Sequence, residues 1–346
     1  MRQPDGYDDN TGRVCKLHRS LYGLKQAPRC WKKRLLNFLS SQTFVQSTAD
    51  PCLFSRVRDA RELFVAIYVD DGLIVGTDEK DVSNFVDVLK REFKITENKA
   101  ECFLGLQIVR QEDGSLFIHQ TAYIKKLLKK LNMMEANSVA IPIETARYGN
   151  SEASAPVNVP YREAIGGLLY LKTGTRPDIA FSVSVLSEKV ENPKEEDWVA
   201  VKRVFRYLKG SVGMGLLYKF SCEDTNLSVY SDADYAGDPV TRRSRSGILC
   251  MYAGGAVIWS SQKQRSVVLS TTEAAYVAAS EATKDAIWAN RLLSVLIDTS
   301  EIPTLFVDNA SAVKLGKNTE FHKRSKHIEV RYHFVREKYE EQQIML

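Results

Sequence analysis

The sharpest hydrophobic pattern in the chain lies at Phe64–Val69 and Leu73–Val75, two apolar runs separated by Asp70-Asp71-Gly72. Val, Ile, Tyr and Phe dominate them, so each run reads as a buried strand and Asp-Asp-Gly as the tight turn of a hairpin. Before them, residues 1–13 are polar and predict a loop. From Pro28, Trp31, Leu35, Phe38 and Leu39 share one helical face and basic residues occupy the other. After the hairpin, Val82–Phe93 has helical spacing. Phe103–Ile108 and Leu116–Gln120 predict a strand pair around Glu112-Asp113-Gly114. Tyr123–Leu131 predicts a helix with Ile124, Leu127, Leu128 and Leu131 inward and its lysines outward.

The polar stretch Thr145–Pro160 reads as a linker. Helical stretches follow from Tyr161, from Thr175 and from Asp197, where an acid at the helix start suits the dipole. Beyond residue 225 come a strand (Leu227–Ala233) and a hairpin (Ile248–Tyr252 and Val257–Ser261 across Ala253-Gly254-Gly255). A long helix (Glu273–Leu296), a short strand (Leu305–Val307), a short helix (Asn309–Leu315) and an amphipathic helix (Glu329–Glu341) complete the chain.

A chain of 346 residues has room for about two or three domains. Its 44% hydrophobic and 26% charged residues fit a globular protein, and no apolar run is long enough to predict a membrane span or a signal peptide. The 6 cysteines are scattered without a CxxC pair, so they read as reduced, mostly packed thiols of an intracellular protein. The net charge of +5 is mild, but basic residues cluster at Lys25–Arg34, Lys125–Lys130, Lys202–Lys209, Arg242–Arg245 and Lys323–Arg331. One such run is commonly a solvated face; several in one chain point to a surface that tracks phosphates.

Adjacent carboxylates between strands repel unless a cation joins them, and Mg²⁺ takes one or two such ligands plus substrate phosphates. Asp70-Asp71 is one candidate; an ordinary Asp-Gly turn is the alternative from these residues alone. A second constellation comprises Asp232, Glu273 and Asp308, each at an element end; two-metal phosphodiester hydrolysis needs several carboxylates that converge on its ions, and these are the candidates. Structural alternatives are a strand-end Asp232, a capping box from Ser270 to Glu273, and Asp308 capping the next helix. His322, His327 and His333 lack a cysteine or fourth histidine, so they read as solvated or hydrogen-bonding rather than zinc-binding.

Tyr68-Val69-Asp70-Asp71 resembles the YVDD box of reverse transcriptases. Leu21–Trp31, LYGLKQAPRCW, is similar to a segment of copia-type retrotransposon Pol polyproteins that lies against template and nucleotide. Tyr230–Asp238, Leu269–Tyr276, Phe306–Ser311 and His327–Phe334 resemble that family's ribonuclease H boxes. The resemblance implies an α+β multi-domain chain: a partial reverse transcriptase palm and thumb (1–145), a linker and helical connection (146–224), and an α/β ribonuclease H-like domain (225–346). It implies catalysis by Asp232, Glu273 and Asp308, with Glu329 or a neighbouring histidine completing the site. Metal ligation by Asp70, Asp71, Asp232, Glu273 and Asp308, with Mg²⁺ or Mn²⁺, follows. Lys25, Gln26, Arg29, Arg242, Arg243 and Arg245 are the expected nucleic-acid contacts, and RNA–DNA hybrid and primer–template the expected partners. A cytoplasmic virus-like particle or the nucleus is the expected location.

The family's first polymerase Asp precedes the segment that matches Met1–Gly6. The expectation is therefore a polymerase that is inactive and a ribonuclease H that cuts RNA in RNA–DNA hybrids. A non-catalytic nucleic-acid-binding relic, or a polymerase completed in trans by another chain, is the alternative.

Overall fold

The computed structural model describes residues 1–144, 157–220, 226–297, 299–317 and 329–346, and the side chains of 329–332 are not part of that description. The chain divides into two compact units, Met1–Thr96 and Glu97–Leu346.

In the first unit, helix α1 (Ala27–Ser41) is followed by β1 (Val45–Gln46), β2 (Leu53–Arg58), β3 (Arg61–Tyr68), β4 (Asp71–Gly76) and α2 (Glu79–Glu92). The strands form one antiparallel sheet in the order β1-β2-β3-β4. Pro28 sits at the start of α1, where its missing N–H costs nothing. Asp78 caps α2 by accepting from Asp81 N at 3.0 Å. Leu35 and Leu39 of α1, Phe85 and Leu89 of α2, and Phe54, Leu63 and Val65 of the sheet share one core. The helices cover a single face of the sheet, so β3 buries only Leu63 and Val65, and the edge strand β4 buries no residue. This corrects the expectation of two buried strands. Within the core, the Arg56 guanidinium pairs with Asp81 at 2.9 Å and lies 4.8 Å from the Phe44 ring centre.

The second unit opens with β5 (Cys102–Phe103), β6 (Leu106–Arg110), β7 (Leu116–His119) and helix α3 (Thr121–Lys130). Asp113 accepts from Ser115 N at 2.9 Å, which fixes the expected turn before β7. Helices α4 (Tyr161–Gly174), α5 (Ala180–Ser187) and α6 (Glu195–Gly210) follow, then β8 (Gly215–Tyr218), which joins β7. Ile124, Leu127 and Leu128 of α3 share a core with Leu168, Val183, Val204 and Phe205 of the helices that follow. Because α3 packs on later helices and β7 recruits β8, residues on both sides of the predicted linker belong to one compact unit. Linker residues 145–156 lie outside the described residues. Asp197 accepts from Lys194 N at 2.7 Å at the start of α6, so it serves the helix terminus as expected.

The last sheet has the order β11-β10-β9-β12, from β9 (Ser228–Ala233), β10 (Arg245–Tyr252), β11 (Gly255–Lys263) and β12 (Thr304–Val307). β9, β10 and β11 are antiparallel neighbours; β12 runs parallel to β9. Ala253 at φ 50° and Gly254 at φ 74° form the two-residue turn between β10 and β11, conformations that match the strands' twist. Helix α7 (Thr271–Ile297) lays Ala274, Ala275, Ala278, Ala279, Ala282 and Ala286 inward, and these small side chains bring its axis close to the sheet. Helices α8 (Ala310–Lys317) and α9 (Glu329–Glu340) complete this layer, with Val335 in the shared core. No helix among the described residues is long and apolar enough to cross a membrane.

Of the five described cysteines, Cys15, Cys30, Cys52 and Cys102 are exposed and only Cys250 is buried. This corrects the expectation of mostly packed thiols. Burial pushes the Cys250 thiol up to about 12, with Asp285 adding to the effect.

Candidate metal site and nucleic-acid surface

In the first unit the tight turn is Val69-Asp70, because Tyr68 pairs directly with Asp71. This corrects the Asp-Asp-Gly expectation. Val69 adopts φ 57°, a left-handed conformation that a β-branched side chain resists. Asp70 and Asp71 are both exposed at the hairpin tip. Trp31 of α1 donates its indole N–H to Val69 O at 2.9 Å, so the LYGLKQAPRCW segment is tied to the acidic turn. Lys25, Gln26 and Arg29 are exposed at the N-terminal end of α1.

In the second unit, side chains alternate along β9: Val229 and Ser231 face α7, and Tyr230 and Asp232 face outward. The parallel register Tyr230–Phe306 and Ser231–Val307 then sets Asp308 beside Asp232 at the ends of adjacent strands. Such strands lie about 4.8 Å apart. Asp232 and Asp308 line one open cleft of about 640 Å³ together with Tyr230, Phe306, Leu249 and Trp259. Cross-strand pairing puts Trp259, Leu249, Tyr230 and Phe306 in a single row next to the carboxylates. The Tyr230 and Phe306 rings stack with centroids 4.9 Å apart. Asn309, not Asp308, caps α8 by accepting from Ala312 N at 2.9 Å, so Asp308 is not used as a helix cap.

Glu273 stands apart from this pair. Ser270 Oγ accepts from Glu273 N at 3.2 Å and caps α7, and the Glu273 carboxylate reaches back one residue further to accept from Leu269 N at 2.7 Å. The same end of α7 approaches the strand that carries Asp232, since Tyr235 donates to Leu269 O at 3.2 Å. Among the described residues no three carboxylate, histidine or cysteine side chains converge as a metal-binding group. Glu329 begins α9, and its side chain lies outside the described residues, as do His322 and His327.

The basic residues divide. Arg242 and Arg243 are exposed on the loop between β9 and β10. Arg245 is spent within the fold: it pairs with Glu188 at 2.6 Å, donates to Ser184 Oγ at 2.7 Å and is 11% exposed. This corrects its assignment as a phosphate contact. Lys125, Lys126, Lys129 and Lys130 are exposed on α3, whereas Arg203 and Arg206 of the next basic run bond Glu144 and Asn137 O. Residues 323–328 of the last basic run lie outside the described residues.

A feature that sequence reading missed is Arg176, 1% exposed. It donates to Asp178 at 2.6 Å and to Ser211 O at 3.0 Å, and Tyr207 donates to the same carboxylate at 2.8 Å. The Thr-Arg-Pro-Asp sequence, with its charges two residues apart ahead of an apolar run, is the signal that could have revealed it.

The reverse transcriptase (RNA-dependent DNA polymerase) family matches residues 1–145. The Pol polyprotein of transposon TNT 1-94 from Nicotiana tabacum is 40% identical over 97% of this chain and 26% of its own length. That of transposon RE1 from Arabidopsis thaliana is 38% identical over 97% of this chain and 23% of its own. The chain thus spans about a quarter of the length of these relatives. An uncharacterized mitochondrial protein of Arabidopsis thaliana is 31% identical over 66% of this chain and 95% of its own length. Among solved structures, a foamy viral protease-reverse transcriptase in complex with dsDNA matches 94% of this chain and 59% of its own at 11% identity and TM-score 0.48, too weak a likeness to carry an argument. On the relatives' identity across nearly its full length, the chain belongs to the retrotransposon Pol polyprotein family.

Proposed function

We propose that residues 225–346 form a ribonuclease H-like domain that hydrolyses the RNA strand of RNA–DNA hybrids. The observation that carries this reading is the β9–β12 register, which sets Asp232 and Asp308 side by side in one open cleft. Two carboxylates with free space before them fit Mg²⁺ or Mn²⁺, which completes its shell with water and phosphate oxygens. A bound pair of divalent ions supplies an activated water and neutralises charge on the scissile phosphate. Asp232 and Asp308 would hold them, and the open cleft admits a phosphodiester backbone. Glu273, at the same end of the sheet, would exchange its hydrogen bond to Leu269 N for that site. Asp70 and Asp71 offer a second, exposed carboxylate pair for a divalent ion and a primer–template.

A second reading rests on the engaged Glu273: the domain binds nucleic acid without cleaving it, because its third carboxylate stays in the cap.

A labelled RNA–DNA hybrid incubated with the protein and Mg²⁺ separates these readings, beside Asp232→Asn and a primer–template. Cleavage of the RNA strand that disappears in Asp232→Asn supports hydrolysis. A folded protein that cuts nothing, even with Mn²⁺, overturns it and leaves binding. Primer extension on the primer–template would assign synthesis to the Asp70–Asp71 pair, and its absence leaves that pair with binding alone.

A further inference from the structure

The loop between β9 and β10 is built to a definite shape. Asp234 N donates to Arg245 O at 3.1 Å, and Asp238 N to Arg243 O at 3.1 Å, so the loop continues the hairpin beyond the sheet. At its tip, one oxygen of Asp238 accepts from Val240 N at 3.1 Å, Thr241 N at 2.6 Å and Thr241 Oγ at 2.8 Å. Its other oxygen pairs with Lys263 of β11 at 2.6 Å. Lys263 also pairs with Glu188 at the end of α5, and Glu188 with Arg245.

The charges within this network cancel: Asp238 and Glu188 against Lys263 and Arg245. Arg242 and Arg243 remain outside the balance. Both are exposed, and neither side chain makes a hydrogen bond or ion pair among the described residues. Arg242 takes φ 54° and donates its N–H to Asp238 O at 2.9 Å, so the residue that anchors the loop also sets the backbone beneath the arginines. The loop leaves the sheet at the end where Asp232 stands, since Asp232 pairs with Gly247 just inside it. Four or five residues of hairpin span at most about 17 Å, a few nucleotides along a strand.

We propose that Asp238, clamped by Lys263, which Glu188 holds in turn, is a positioning residue that holds Arg242 and Arg243 against backbone phosphates of a nucleic acid seated in the Asp232–Asp308 cleft. The inference rests on the hybrid-binding part of the function proposed above, and not on cleavage. It makes a counterintuitive claim, because removing an acid beside an anionic ligand ordinarily tightens binding.

The test is fluorescence anisotropy of a labelled RNA–DNA hybrid with the full chain carrying Asp232→Asn, in EDTA, across a salt series. Arg242→Ala/Arg243→Ala is expected to weaken binding about tenfold and to lower the salt slope by about one to two, near 0.9 per phosphate contact. Asp238→Ala is expected to weaken binding about three- to tenfold, and to have no further effect in the double-alanine background. A protein that misfolds would instead lose binding in both backgrounds and change its circular dichroism. Binding by Asp238→Ala that equals or exceeds that of its parent overturns the proposal, as does a parent that binds no hybrid at low salt. A chain that binds as expected but cleaves nothing fails the nuclease reading and leaves this one standing.

Discussion

Trp31 holds the carbonyl of Val69, 38 residues away, and thereby fixes the turn on which Asp70 stands. The bond is charge-neutral and reaches an exposed turn, yet it braces a residue whose φ of 57° is unfavourable for valine. Trp31 is itself set by an edge-on contact with Phe93, with ring centroids 5.4 Å apart.

That bracing predicts coupling. Trp31→Phe should lower the local stability of the β3–β4 hairpin by about 0.5–1.5 kcal/mol, the net worth of one hydrogen bond. Val69→Asn, a residue that tolerates the left-handed region, should raise it by about 1 kcal/mol. Native-state hydrogen exchange at the amides of Ala66 and Leu73, which pair across the hairpin, reads both, and the double variant tests additivity. If Val69→Asn exchanges faster than the parent, the strain is not there to be relieved.

A pH dependence follows from the buried Arg176 and its carboxylate. Burial raises the Asp178 pKa, but the Arg176 and Tyr207 hydrogen bonds and the Arg176 charge outweigh it, leaving it below 3.8. A carboxylate depressed by folding contributes stability that is fully present above its unfolded value and is lost as pH falls through the folded one. Asp178→Ala should cost about 3–5 kcal/mol at pH 7, because it strands a guanidinium that is 1% exposed. The difference between the parent and variant urea midpoints should shrink below about pH 4. A gap that is constant from pH 7 to pH 3 would mean that lost packing, and not the charge, sets the cost.

Elements with strict periodicity were legible in the sequence. The lysine-rich helix α3 buries Ile124, Leu127 and Leu128 and exposes its four lysines as their spacing dictates. The β10–β11 hairpin turns at Ala253-Gly254, within the predicted stretch. What escaped depended on partners distant in sequence. No local pattern marks β8 as the neighbour of β7, about 96 residues earlier, and hairpin composition does not tell Val69-Asp70 from Asp71-Gly72 as the turn. At the candidate site, the box spacing led to Asp232 and Asp308, which share a cleft. For Arg245 the same reasoning failed, because a basic run does not reveal which of its members meets an internal acid such as Glu188.

Glu273 is where the two readings of the cleft part. Its carboxylate bonds Leu269 N, and Leu269 O accepts from Tyr235, so the cap of α7 and the segment following Asp232 share one residue. Gln is also accepted at this position of a capping box, so Glu273→Gln should change stability by less than about 1 kcal/mol. It removes the negative charge that a divalent ion needs. If Glu273 leaves the cap to join Asp232 and Asp308, the variant should lose about 10²-fold in hybrid cleavage at an unchanged melting temperature, a loss of the size that misplacing reacting groups produces. Calorimetric titration with Mn²⁺ should weaken in parallel. Glu273→Ala is the complement, since it loses charge and cap together and should lower the melting temperature as well. Cleavage and Mn²⁺ affinity that survive Glu273→Gln would restrict Glu273 to the helix terminus and leave Asp232 and Asp308 to hold the ion with the phosphate oxygens alone.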